Sequence, residues 1–171
     1  MDNQSGAASL VESLYLRFAN DVLRVSYFYL GDREKAEDVT QEVFLRVMER
    51  NPDLKEGSEK SWLLKVALNI CRDHWRSSWA RRVILGSKKL EIIPAEDEID
   101  RRTEKEALMQ AVYSLPAEVK EVFLLFYYQR YSINEIADIL GVQPGTVSSR
   151  LSRGRKKLKL LLEEDESQNE A

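Results

Sequence analysis

Apolar residues recur at steps of three and four from Leu10 onward, and this pattern divides the chain into helices. Leu10, Leu14, Phe18, Val22, Val25 and Tyr29 form the first stripe, which begins at Ser9 after a polar, frayed Met1–Ala8 and stops at Gly31. Asp32 is a suitable N-cap for a second helix reaching about Arg50, with Val39, Val43, Phe44, Val47 and Met48 as its buried stripe. Asn51–Gly57, NPDLKEG, reads as a loop, and Ser58 can cap a third helix that extends to about Ser78. That helix carries two apolar stripes: Trp62, Leu63, Val66, Ala67 and Ile70 on one side, Leu64, Leu68, Cys71 and Trp75 on the other. Trp79–Thr103 keeps no helical period and reads as a flexible linker, with Val83–Leu85 and Leu90–Ile93 as local apolar clusters. Helicity returns at Glu104 through Ala107, Leu108, Ala111, Val112 and Leu115. Pro116 then starts a further helix to Tyr128 with Val119, Val122, Phe123 and Phe126 inward.

Tyr131–Leu162 is the most organised stretch. Ile133, Ile136, Ala137 and Leu140 repeat at helical spacing, Gly141 stands where a left-handed turn residue is needed, and Pro144 opens the next helix. Val147, Leu151 and Leu158 stripe that second helix, and Ala137 is small where the two helices must cross. This is a helix-turn-helix pattern. Its second helix carries Arg150, Arg153, Arg155, Lys156, Lys157 and Lys159 with no acidic residue between Pro144 and Leu162, which suits a DNA major groove. The tail beyond Glu163 is acidic and reads as disordered. The expected architecture is all-α: two small helical domains, 9–78 and 104–162, joined by the flexible linker 79–103 and followed by an acidic tail, 163–171.

Composition changes this picture in one respect. The 171 residues are 43% hydrophobic, enough for a core, and carry a net charge of −3 with a pI near 5.4. For a DNA binder that average is misleading, because basic residues concentrate in Arg72–Lys89 and Arg150–Lys159 while Glu163–Glu170 is acidic. The acidic parts oppose the basic ones, so the free chain is expected to bind DNA poorly. One cysteine and one histidine build neither an internal disulfide nor a zinc site of the usual kind, and Cys71 reads as a small buried hydrophobe. No cofactor, metal or small-molecule substrate is expected. Met1–Ser9 is not a signal peptide, and no apolar run approaches the roughly 18 residues that span a membrane, which points to the cytoplasm.

Two polar strips lie within the first domain. Asp38, Gln41, Glu42, Leu45 and Glu49 occupy the exposed side of the second helix. That is most commonly the composition of an ordinary solvent-facing strip; it is also that of a docking surface for a basic partner with Leu45 at its centre. On the third helix Lys65, Asn69, Arg72 and Arg76 fall in one narrow row between the two apolar stripes, poised for phosphate and base contacts. His74 has no partner for catalysis and reads as structural or as a weak DNA contact.

In this order the parts resemble a small sigma factor of bacterial RNA polymerase, of the extracytoplasmic-function group in the sigma-70 family. The strings that carry the resemblance are AEDVTQEVFLRV (Ala36–Val47), SWLLKVALNICRDHWR (Ser61–Arg76), SLPAEVKEVFLL (Ser114–Leu125) and YSINEIADILGVQPGTVSSRLSRGRKKL from Tyr131. The first domain is similar to sigma region 2 and the second to region 4. The resemblance implies that Asp38, Gln41, Glu42 and Leu45 dock on the coiled coil of the polymerase β′ subunit, with core polymerase (β′ and β) as partner. It implies that the loop Asn51–Ser61 and the row Lys65, Asn69, Arg72 and Arg76 open and read the −10 promoter element, where unstacked bases must be held. It assigns the second helix of the helix-turn-helix to the −35 element. There Thr146, Ser148, Ser149, Ser152 and Arg153 are placed toward bases and Arg150, Arg155 and Lys156 toward phosphates. The linker resembles the segment that threads toward the polymerase active site and RNA exit path. An anti-sigma factor covering both basic surfaces is the family's usual regulator.

Two other classes compete on the residues alone. An autonomous helix-turn-helix regulator with an N-terminal dimerisation or effector domain accounts for the second domain, but not for the cationic row on the third helix. An enzyme has little support: there is no Gly-rich phosphate loop, no nucleophile–histidine pair, and no electrophile beside Asp38, Glu42 and Glu49.

Overall fold

The first apolar stripe becomes α1, Asp2–Leu30, which begins at Asp2 rather than Ser9. The segment DNQSGAAS has no proline to break a helix, and its two alanines offset the lower propensity of Gly6. The computed structural model describes residues 2–84 and 104–169. Gly31 ends α1 at φ 66°. Asp32 then caps α2, Arg33–Arg50, its side chain accepting from the Lys35 N–H at 3.1 Å. Asn51 closes α2 in the left-handed conformation, φ 40°, its N–H donating to the Val47 carbonyl at 2.9 Å.

The third helix, α3, spans Glu59–Ile84 and so runs through Trp79, where loss of periodicity had predicted the linker. SSWARRVI holds no glycine or proline, and good helix formers carry the helix past the end of its core-facing stripes. Ser58 stands just before it, its carbonyl accepting from the Trp62 N–H at 3.0 Å while its hydroxyl turns back to donate to the Lys55 carbonyl at 2.7 Å. The expected linker beyond Ile84, with Leu85, the Leu90–Ile93 cluster and the acidic 95–100 segment, lies outside the described residues.

The chain divides into two compact units, Met1–Gly86 and Ser87–Ala171. In the first, α1 packs on α2 and α3, and these on each other. Leu14, Val22, Val25, Tyr29, Val39, Val43, Leu63, Leu64, Ala67, Leu68 and Cys71 are fully or almost fully buried. Helix α3 is therefore buried on both sides, as its two stripes require. Met48 is a correction: it is 49% exposed, not part of the buried stripe. Val43, Phe44 and Val47 already fill the α1–α2 contact, and Met48 falls one step around the helix from them.

The second unit holds α4, Glu104–Tyr113, and α5, Ala117–Phe123, then a π-helical turn, Leu124–Tyr128. After the turn come α6, Ile133–Leu140, and α7, Pro144–Asn169. Pro116 is the cap of α5 rather than its first helical residue, with extended ψ of 145°. The helix predicted to continue to Tyr128 widens at Leu124, where the Gln129 N–H donates to the Leu124 carbonyl, five residues back, at 3.0 Å. Val119, Val122 and Phe123 are buried as the spacing predicts, while Phe126 is half-buried and Leu108, expected inward, is 45% exposed. The acidic tail is not disordered at its start: α7 continues to Asn169, and Lys159 pairs with Glu163 one turn on at 3.8 Å.

Candidate nucleic-acid interface

The helix-turn-helix is fixed at both ends of its first helix. The Ser132 hydroxyl accepts from the Glu135 N–H at 3.3 Å and the Glu135 carboxylate accepts from the Ser132 N–H at 2.7 Å, a reciprocal capping box. Gly141, at φ 67°, supplies the left-handed cap, and the Val142 N–H donates to the Ala137 carbonyl at 3.0 Å. Pro144 then opens α7, where a missing N–H costs nothing. Ile136, Ala137 and Ile139 are buried, with Ile133 and Leu140 half-buried at the margins.

The capping box makes α6 pH-dependent. The backbone N–H of Ser132, and then its side chain, hold the Glu135 carboxyl below its ordinary value of 4.5. A depressed carboxyl stabilises the fold above the unfolded value, and that contribution is lost as pH falls through the lower folded value. Glu135→Gln is therefore expected to flatten the acid limb of thermal stability below about pH 4.5. Ser132→Ala is expected to cost about 1 kcal/mol at neutral pH. Both are read from melting temperature against pH.

On α7, Val147, Leu151, Gly154 and Leu158 form one buried line. Ser149, Ser152, Arg153 and Lys156 lie opposite and are exposed, so they form the outermost row of the helix. Ser148 and Arg155 flank that row on one side; Thr146 and Arg150, both half-buried, flank it on the other. The eight residues expected on this helix thus divide into a central row and two margins. Gly154 was not among the expected features. A Cβ there would overlap the Phe123 ring and stand 2.8 Å from Val119 Cγ1, so glycine is what lets α7 lie against α5. The legible signal was a glycine inside a helical stripe, which needs a packing reason. Arg155 is also tied to the protein: its Nε donates to the Tyr127 hydroxyl at 2.7 Å.

In the first unit Asp38, Gln41 and Leu45 are exposed and Glu42 is half-buried, with Leu45 47% exposed at the centre of the strip. Glu42 accepts from Arg46 Nε at 2.9 Å, an i, i+4 pair that the acidic reading overlooked. On α3, Lys65, Asn69 and Arg76 are exposed and Arg72 is half-buried, one continuous row as the spacing predicts. Arg72 Nη1 donates to Asn69 Oδ1 at 2.9 Å, which leaves the Asn69 amide NH2 as a donor. His74 is half-buried, and its carbonyl accepts from the Ser77 hydroxyl at 3.0 Å.

The loop before α3 is anchored to α1. Glu59 Oε2 accepts from the Gly57 N–H at 2.7 Å, and Arg17 and Asp21 of α1 pair with Glu59 at 3.7 Å and Lys60 at 3.5 Å. The backbone N–H groups of Glu59 and Gly57, with Arg17 beside them, hold the Glu59 carboxyl below its ordinary value. Among the described residues no three His, Cys, Asp or Glu side chains gather as metal ligands, and no helix is long and apolar enough to cross a membrane.

The chain matches two family descriptions, Sigma-70 region 2 over residues 14–81 and Sigma-70, region 4 over residues 105–158. It is 33% identical over 173 residues to the ECF RNA polymerase sigma factor SigL of Mycobacterium tuberculosis, covering 96% of this chain and 97% of SigL. The chain belongs to the extracytoplasmic-function sigma factors. Members of this family direct RNA polymerase to promoters. It is also 31% identical over 153 residues to the sigma factor SigE of Mycolicibacterium smegmatis, covering 86% of this chain, and spans 60% of the length of that longer relative. The fold is shared with two solved structures, the first of them a sigma factor. RpoE of Bartonella quintana, in complex with the anti-sigma factor NepR, has a TM-score of 0.74 at 22% identity over 89% of this chain and 96% of that one. CnrH, in complex with the cytosolic domain of CnrY, has a TM-score of 0.67 at 23% identity over 95% of this chain and 96% of that one. With region 2 matched over the first unit of the sigma factor, the alternative of a regulator with an N-terminal dimerisation domain is set aside.

Proposed function

We propose that this sigma factor works as a split promoter reader held together by core RNA polymerase. Residues 9–78 dock on the polymerase and read and open the −10 element, and residues 104–162 read the −35 element. The observation that carries the second assignment is the outward row Ser149, Ser152, Arg153 and Lys156 of α7, set opposite the buried line Val147, Leu151, Gly154 and Leu158. A helix so divided presents short hydroxyls and two cations to a groove while its other side is locked to the protein. Thr146 and Ser148 stand at the margins of the base-facing row, and Arg150 and Arg155 meet phosphates on either side. Lys156 does so from the row itself.

In the first unit, Lys65, Asn69, Arg72 and Arg76 contact the −10 region, and the segment Asn51–Ser61, a loop followed by the first residues of α3, receives an unstacked base. The anchoring of that loop through Gly57, Glu59 and Arg17 supports a pocket formed before DNA arrives. Asp38, Gln41, Glu42 and Leu45 dock on the β′ coiled coil, with the β subunit as the other polymerase partner. The protein catalyses nothing itself, requires no cofactor and acts in the cytoplasm. An anti-sigma factor covering both cationic surfaces is the proposed regulator.

Run-off transcription on genomic fragments with core polymerase tests the whole reading: initiation at discrete sites is the expected result, and none at any promoter overturns it. Arg153→Ala is expected to weaken binding to the enriched promoter duplex by about 1–3 kcal/mol, and to a scrambled duplex by less. An equal loss on both duplexes places Arg153 on a phosphate instead.

A further inference from the structure

The π-helical turn Leu124–Tyr128 leads into the helix-turn-helix and leaves Tyr127 52% exposed, although it is part of an aromatic run. Its ring is held by its neighbours, 5.1 Å from the Phe123 ring and 4.9 Å, edge-on, from the Phe126 ring. Its hydroxyl accepts from Arg155 Nε at 2.7 Å, across 28 residues of sequence. The guanidinium carbon lies 5.9 Å from the Phe126 centroid and 5.8 Å from that of Tyr127. π-turns concentrate at functional sites.

We infer that Tyr127 is a positioning residue for DNA: it holds Arg155 by its Nε so that the two Nη groups are fixed at the margin of the recognition row, as a pre-aimed phosphate clamp. This rests on α7 entering the −35 groove. An arginine has several freely turning bonds, and ordering it at the moment of binding costs affinity. A hydroxyl that occupies Nε leaves Nη1 and Nη2 available for a phosphate, and the ring limits the sweep of the planar fork. The clamp carries no base information. It sets the depth and register in which Ser149, Ser152 and Arg153 meet base edges.

The test is equilibrium binding of polymerase holoenzyme, assembled with the full-length chain, to two fluorescent duplexes: one enriched from a random-sequence library and its scrambled counterpart, each over a range of salt. Tyr127→Phe deletes only the hydroxyl. It is expected to weaken both duplexes by roughly three- to tenfold, to leave the salt slope nearly unchanged because Arg155 still reaches its phosphate, and to leave the melting temperature unchanged. Arg155→Ala, which deletes the contact itself, is expected to lose at least as much affinity and to reduce the salt slope by about 1, and adding Tyr127→Phe to it to change nothing further. Arg155→Lys, which lacks the Nε–Nη fork, is expected to be equally insensitive to the tyrosine change. Unchanged affinity for Tyr127→Phe overturns the inference, as does a loss that persists in the Arg155→Ala background. The preference of the unmutated chain for the enriched duplex tests the −35 reading separately, so either one fails without the other.

Discussion

Gly154→Ala is expected to destabilise the second unit by about 1–2 kcal/mol, although alanine is the better helix former. Two effects oppose each other. In an open helix interior the substitution recovers about 1 kcal/mol of backbone entropy. Here the added Cβ would overlap the edge of the Phe123 ring and stand 2.8 Å from Val119, both buried, so neither neighbour has free space to move into. Helices α5 and α7 must separate, and overpacking of this kind costs about 1–3 kcal/mol. The steric term exceeds the recovered entropy by up to about 2 kcal/mol. Gly145, on the same helix, is the control: a Cβ there meets nothing within 4 Å, and Gly145→Ala is expected to be neutral or slightly stabilising. Denaturant unfolding of the two variants, compared with promoter binding, checks both. Gly154→Leu, with three more carbons to place, is expected to lose the second unit's cooperative transition. Equal stability of Gly154→Ala and Gly145→Ala would mean that the α5–α7 crossing is looser than its geometry.

Asp38→Lys combined with Glu42→Lys is expected to abolish binding to core polymerase while leaving helicity intact. Both residues lie on the outward side of α2, away from the buried Val39, Val43 and Val47, so the core is untouched and the stability change stays within about 0.5 kcal/mol. The docking assignment places a basic partner against this strip. Reversing both signs turns attraction into like-charge juxtaposition, which costs several kcal/mol at an interface. Glu42 adds a second effect, because it is paired to Arg46 at 2.9 Å and its replacement by lysine sets two cations one turn apart. Co-elution with core polymerase on size exclusion, beside far-UV circular dichroism, reads the two halves of the expectation. Undiminished binding removes the docking assignment; lost helicity makes the variants uninformative about docking and shows that the strip is structural.

Much of the candidate interface was legible because it depends on local order. The row Lys65, Asn69, Arg72 and Arg76 follows from steps of three and four, and the turn at Gly141–Pro144 follows from what glycine and proline do to a backbone. Ser132 and Glu135 carried an equally local signature, Ser-x-x-Glu, that went unread. What misled was the assumption that helices stop where their apolar stripes stop. The stripe ends where the core ends, whereas the helix ends only where something breaks it. Helices α1, α3 and α7 all run past the expected bounds for that reason. The widening at Leu124 had no local signal, since LLFYY is as compatible with a regular helix as with a π-turn.

By itself the sequence determined that the described residues form helices joined by short loops, where most of the turns fall, and which polar residues share a face, because 3.6-residue periodicity and turn chemistry act within a few residues of one another. Tertiary structure alone decided which members of each stripe are buried. Met48 and Leu108 lie outside cores that nearer side chains already fill. It also decided why residue 154 must be glycine and where Arg155 points. Both depend on α5 and the π-turn lying against α7, and a contact spanning 28 residues leaves no periodic trace in the chain that makes it.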